Sequence, residues 1–273
     1  MKPYNMTLRL DELQEMLGKR AALTVLAFVV LSGMACRKAA TASGDHVAVR
    51  PTAEALAEAD QYYAQRADLV KVRQAIVSLR QAQADDPSNY DLAWRLAKFD
   101  YYLGAHTPES TEQDKAYREG IEAGKLAVRL QAGKPEGHFW LGANYGGNAQ
   151  ISTLAGLGEL DDIKQEMETV LKINEGFQLG SAYMVLGQVY LESPRLLGGD
   201  TSKAISYLEK GIKVGPDNAV LRVRLAQAYA EAHRNEDARK QIDVLMAMKP
   251  LPDYQPEYRD AVAEAKKLQD KIK

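Results

Sequence analysis

Along most of this 273-residue chain, apolar positions recur at spacings of three and four, in blocks separated by short polar stretches. That spacing places the apolar side chains on one stripe of an α-helix. The clearest block reads Leu225-Ala226-x2-Tyr229-x8-Ala238-x3-Ile242-x2-Leu245-x4-Pro250. It predicts two antiparallel helices that approach closely over small residues while large ones fill the gap between them. Pro250 ends the second helix and opens the next unit. The same order recurs upstream. Leu186-Gly187-x2-Tyr190 precedes Ala204-x3-Leu208-x2-Gly211-x4-Pro216, with residues 193–201 lengthening the turn. Leu141-Gly142-x2-Tyr145 precedes Ile163-x3-Met167-x2-Val170 across a long Gly-rich connection. Residues 94–103 and 116–130 make a hairpin with an acidic, polar connection over 104–114, and Ala75-x3-Leu79-x2-Ala82-x4-Pro87 follows a helix at 59–65. Residues 256–272 form a polar amphipathic helix suited to capping a stack. The expectation is an all-α chain of four to five hairpins plus a cap, folded over residues 53–273.

One apolar block has a different character. Residues 21–32 (AALTVLAFVVLS) are 12 positions without a charge, after Lys19 and Arg20 and before Gly33-Met34-Ala35. A bilayer-spanning helix needs about 20 apolar residues. The run is short for that and fits a secretory signal over residues 1–35. Translation from Met16 would leave a compact MLGKR leader. Cys36 follows directly, and its place resembles the lipidated cysteine of bacterial lipoproteins. Ala35 suits that pattern, whereas Gly33 stands where a Leu is usual. The alternative is an ordinary cut that leaves a soluble protein with a free thiol. Residues 36–52, small and polar, read as a lipid-anchored tether. The expected location is the periplasmic face of a bacterial envelope. Arg37-Lys38 lack the Asp that marks inner-membrane retention in some bacteria, which favours the outer membrane.

The block at 225–250 resembles the tetratricopeptide repeat (TPR), which makes the expected fold a TPR-like α-solenoid: a right-handed superhelix of stacked antiparallel helical hairpins with a C-terminal capping helix. A more specific likeness lies at 176–214, GFQLGSAYMVLGQVYLESPRLLGGDTSKAISYLEKGIKV. This stretch is similar to the T component of TRAP transporters, a family of exported repeat lipoproteins. Gly180, Ala182, Leu186-Gly187, Tyr190, Pro194, Leu197-Gly198-Gly199-Asp200 and Lys203-Ala204 carry the likeness. The terminal Cys36 and the hairpin around Trp140 agree with that family in arrangement. The likeness spans 53–250, although an ordinary repeat takes over at 218. It implies a periplasmic helical scaffold that serves a substrate-binding subunit of a TRAP carrier and offers a channel or groove to an apolar small ligand.

Charge and chemistry narrow the function further. Thirty-five Lys+Arg against 37 Asp+Glu leave a net charge of −2, which supplies no basic face for nucleic acid. One cysteine rules out a disulfide framework within the chain and a multi-Cys metal site. His46, His106, His138 and His233 are scattered, with no second His or Cys at ligand spacing. No HExxH, GxSxG, Walker-type loop or dinucleotide fingerprint occurs. Gly198-Gly199-Asp200 reads as a tight turn with Asp200 or Thr201 capping the next helix. His138 reads as a solvated helix-start residue. No enzyme, metal or cofactor is expected.

The informative surface is the concave face lined by the first helix of each hairpin. Offsets from the large–small–Tyr pattern give Arg95, Phe99 and Tyr102 from the second hairpin, then Phe139, Ala143, Gly146 and Gly147 from the third. The fourth supplies Met184, Gln188 and Leu191, and the fifth Val223 and Gln227. One Arg among apolar side chains predicts an apolar groove with a few amides, widest at Gly146-Gly147. Alternatively, residues 150–160, with Ile151, Leu154 and Leu157, fold back and bury this row as core. Two functions follow: an accessory scaffold of solute uptake that binds a partner protein and an apolar ligand, or a general envelope-assembly scaffold with no small ligand. Repeat stacks have apolar ends, which leaves homo-oligomerisation open.

Overall fold

The structure, a computed structural model, describes residues 51–272, except for the side chains of residues 153–157. The expected export segment 1–35, the expected lipidation position Cys36 and the expected tether as far as residue 50 lie outside the described residues. Eleven α-helices and no strand occur among the described residues. Ten of them pair as hairpins: α1 (Thr52–Ala64) with α2 (Leu69–Asp85), α3 (Tyr90–His106) with α4 (Ser110–Leu130), and α5 (Pro135–Ile151) with α6 (Thr153–Asn174). The series continues with α7 (Ser181–Glu192) and α8 (Thr201–Val214), then α9 (Ala219–Glu231) and α10 (Asn235–Ala247). The last helix, α11 (Gln255–Lys271), follows a 3-10 turn at Pro252–Tyr254.

Local sequence accounts for where these helices begin. Asp68, Asn89, Asp200 and Asn218 each accept a hydrogen bond from a first-turn backbone N–H, at 2.9–3.1 Å. Each such cap satisfies a donor that the helix leaves orphaned. Pro135 opens α5, where its missing N–H removes nothing. Between the helices lie the large side chains of the repeat pattern, among them Leu79, Met167, Leu186, Leu208, Leu225 and Ile242, all fully buried. Ala75, Ala204, Ala226 and Ala238 are buried beside them and permit the close approach.

Two connections are shorter than the polar and glycine-rich sequence indicated. Helix α3 runs through His106 and α4 begins at Ser110, where the Gln113 amide donates to the Gly104 carbonyl at 2.9 Å. In the third hairpin, α5 continues through Gly146 and Gly147 to Ile151, and only Ser152 separates it from α6. Helical glycine costs about 1 kcal/mol relative to Ala, and at Gly147 close packing against the Tyr117 ring outweighs that. Asn144, with no exposed surface, donates from Nδ2 to the carbonyls of Ala97 and Trp140 at 2.8 and 2.7 Å, which fastens α5 to α3.

The closing helix does more than cap the fifth hairpin. It packs on α9 and α10 and also reaches the far end of the stack. Arg66, in the α1–α2 turn, donates from Nε and Nη2 to the Glu257 carboxylate at 3.0 and 2.6 Å and from Nη1 to the Tyr63 carbonyl at 3.0 Å. It also bonds the Asp253 carbonyl, and its side chain is only 3% exposed. Arg224 on α9 pairs with Glu264. Helix α11 therefore lies along the concave side of the stack.

His138 departs from the expectation of a solvated residue. It is buried, with Nδ1 2.5 Å from the Glu166 carboxylate on α6 and Nε2 2.9 Å from the Ala132 carbonyl. The carboxylate, with the carbonyl on the other nitrogen, holds the imidazole pKa above its ordinary 6.5 despite burial. A group that is more basic in the folded state stabilises the fold at low pH and loses that contribution as pH rises through the folded pKa. His138→Gln is expected to narrow its stability deficit against the native chain as pH is raised from about 6, as read by urea unfolding at a series of pH values.

Candidate functional site

The concave side of the stack and the inner face of α11 flank a half-open cavity of about 980 Å³. Its walls differ in character. Phe139, Ile163, Met184, Val185 and Val189 form an apolar middle. Tyr63, Tyr101, Tyr102 and Tyr117 make an aromatic end from the first two hairpins, with Trp140 beside them. The opposite wall, from α11, the 3-10 turn before it and α9, carries Tyr254, Glu257, Asp260, Glu264 and Arg224.

The structure brings together Tyr102, Phe139, Ala143, Gly146, Gly147, Met184 and Gln188 of the row read from the sequence. The rest of that row lies elsewhere. Arg95 pairs with Asp60 at 2.9 Å and stacks on Trp94. Phe99 is a core side chain, edge-on to Tyr63 with ring centroids 5.5 Å apart. Leu191 packs against the C-terminal core, Val223 is fully buried in it, and Gln227 donates to Glu264 at 3.1 Å. The fifth-hairpin positions are lost to the groove because α11 covers the face on which the repeat offsets place them.

The two central glycines have separate roles. A Cβ on Gly147 would stand 2.1 Å from Tyr117 Cε1, so the space left by that glycine is filled by the Tyr117 ring. A Cβ on Gly146 would meet nothing within 4 Å, so this position opens the cavity. Tyr117, from a second helix, was not marked by the groove pattern. Its only sequence signal is the pair of glycines, Gly104 and Gly147, that accommodates its ring.

Burial raises the pKa values of all four tyrosines at the aromatic end, Tyr102 to about 12, so the phenols stay protonated and act as donors. The ring of His106 stacks on Tyr102, with Nε2 3.8 Å from Asp260. Gln178 and Leu179, also on the wall, adopt left-handed backbone at φ 49° and 56° before Gly180 at 73°. Such residues persist where surroundings hold them. Here the Asn218 amide donates to the Leu179 carbonyl at 3.1 Å, and the Tyr254 hydroxyl donates to Gln178 Oε1 at 3.0 Å.

The model of the TRAP transporter T-component family matches residues 57–271, from the first helix through the closing one. The chain belongs to the TRAP transporter T-component family. The match extends past residue 250, so the fifth repeat and α11 are parts of the family domain. No curated protein matches the chain. A thermophilic TPR protein of Thermus thermophilus is similar in structure, with a TM-score of 0.57 and 20% identity, over 78% of this chain and 99% of its own. Pseudomonas aeruginosa pilF is similar with a TM-score of 0.51 and 16% identity, over 82% and 94%. These likenesses show the TPR fold. A T component is an accessory, non-catalytic part of TRAP transport, so the chain is a scaffold and not an enzyme. No helix among the described residues is long and apolar enough to cross a membrane.

The glycine pair offers a direct check. Gly146→Ala should raise the unfolding free energy by about 0.5–1 kcal/mol, since it adds a helix former into open space. Gly147→Ala should lower it by about 1–3 kcal/mol through the clash with Tyr117. Urea midpoints of the two variants against the native chain measure both.

Proposed function

We propose that this T component works at the periplasmic face of the envelope, anchored through a lipid on Cys36, where it docks a solute-binding protein of a TRAP-type carrier and holds an apolar small molecule in its cavity. The observation that carries this reading is the half-open, apolar-centred cavity between the hairpins and α11. Its volume is at the upper end of the ~300–1,000 Å³ usual for small-molecule sites. An open solenoid groove suits an extended peptide, whereas here α11 covers the concave face of the fifth hairpin and Arg66 fastens it to the first. That closure favours a small ligand over the alternative of a general envelope-assembly scaffold.

Purification of the native chain from its own envelope, with identification of co-purifying proteins, tests the partner. Recovery of a periplasmic solute-binding protein is expected; assembly factors in its place would sink the transport reading. Cys36→Ser should move the chain from the membrane fraction to the soluble periplasm, and a variant still sedimenting with outer membrane would refute the lipid anchor.

A further inference from the structure

We propose that the cavity opens and closes along the seam where α11 meets the first two hairpins, with the Arg66–Glu257 contact as the latch. Parting the seam turns the half-open cavity into an open groove, through which a bound molecule enters and leaves. That use rests on the cavity being a small-ligand site, as proposed above; the movement itself does not.

The two sides of the seam belong to different bodies. Ala261, Ala265 and Ile272 are buried in one apolar core with side chains of α9 and α10, and Tyr258 and Leu268 pack against it. The first two hairpins have a core of their own, from Ala55 to Ala116, and among the described residues no α11 side chain enters it. The helices on which α11 packs closely are α9 and α10. It meets the first two hairpins through side chains instead. A shared apolar core would have to be torn open for these bodies to separate, whereas a seam of polar bonds parts locally, because few buried apolar contacts resist it.

Arg66 has the properties of a latch. On its own hairpin, the Tyr63 carbonyl and the face of the Tyr63 ring hold the guanidinium in position. Across the seam it grips the Glu257 carboxylate with two donors and also bonds the Asp253 carbonyl. A second crossing contact is looser: His106 Nε2 lies 3.8 Å from Asp260, whose side chain is mostly exposed. When the seam parts, water solvates the Arg66 and Glu257 charges, and the desolvation cost recovered offsets much of the attraction lost. The pair therefore fixes the closed register while leaving the open one within reach. The stack accommodates the movement because each hairpin contacts its neighbours, so small rotations at successive interfaces add up at the ends.

Pulsed electron resonance between paired spin labels tests this on the full chain, without added ligand. Cys36→Ser removes the one cysteine, so labels report only from chosen exposed sites. Ala57→Cys on α1 with Lys266→Cys on α11 spans the seam. Asp243→Cys on α10 with Lys266→Cys stays within the C-terminal body. Across the seam the native chain should show a dominant shorter distance and a minor longer one. Arg66→Met and Glu257→Gln should each raise the longer population about tenfold, since either leaves a charge without its partner. The Asp243–Lys266 distance and the helical circular dichroism should not change. Arg66→Lys, which keeps the charge without the planar fork, should fall between. Glu257→Gln keeps the side-chain shape and carries the test if Arg66→Met does not fold. A single unchanged distance across the seam in the native chain and in the folded latch variants would overturn the proposal. So would a widening that the Asp243–Lys266 pair shares, because α11 would then be leaving its own core. With no ligand present, either failure leaves the small-ligand reading standing.

Discussion

A single buried guanidinium joins the two ends of this stack. Arg66 is withdrawn from water, which a charged group tolerates only when its donors are met. Its planar fork meets the Glu257 carboxylate and the carbonyls of Tyr63 and Asp253, and its face rests 4.4 Å from the Tyr63 ring. Repeat solenoids hold together through contacts between neighbouring units. The Arg66–Glu257 contact instead spans 191 positions and couples the first hairpin to the last helix. Once that bond is in place, α11 lies along the concave side, and a surface that would otherwise be an open groove becomes a cavity.

The chemistry of the cavity follows from which helices face α11. The first two hairpins bring tyrosines to it, the third and fourth bring Phe139, Met184 and Val185, and α11 answers with acids, of which Glu257 and Glu264 are matched by Arg66 and Arg224 while Asp260 lies 3.8 Å from His106. The cavity is thus graded from phenolic to apolar. Tyr117 reaches the interior from a second helix because Gly104 and Gly147 leave a slot for its ring. Asn144 fixes the α5 backbone against α3 across the same region, so the slot is held rigid.

On the function proposed above, this arrangement separates two tasks: the outer surface of the hairpins is left for protein contact, while the inner surface lines the cavity proposed for a small molecule. A TPR fold by itself implies neither. It is the closing helix and the left-handed turn at Gln178 and Leu179, held by Asn218 and Tyr254, that distinguish this concave face from an open peptide groove.

The helical hairpins were legible because their signals are local. Spacings of three and four, capping residues such as Asp200 and Asn218, and the large–small–Tyr order are all set within some thirty positions. The middle of the cavity was legible for the same reason: Phe139, Gly146, Met184 and Gln188 occupy fixed offsets in that order. Three features were not. The glycine-rich stretch at 146–158 reads as a loop by propensity, yet it is helical where the Tyr117 ring packs on it. Val223 and Gln227 fit the groove offsets, but α11 covers them. His138 resembles an exposed helix start until Glu166 of the next helix is brought to its ring. In each case the deciding partner lies on another helix. Periodicity is a property of the chain, so the sequence by itself determined the helices and their order of stacking. Enclosure depends on which distant charges and rings meet, so only the tertiary structure decided that the stack closes on Arg66 and leaves a cavity at its centre.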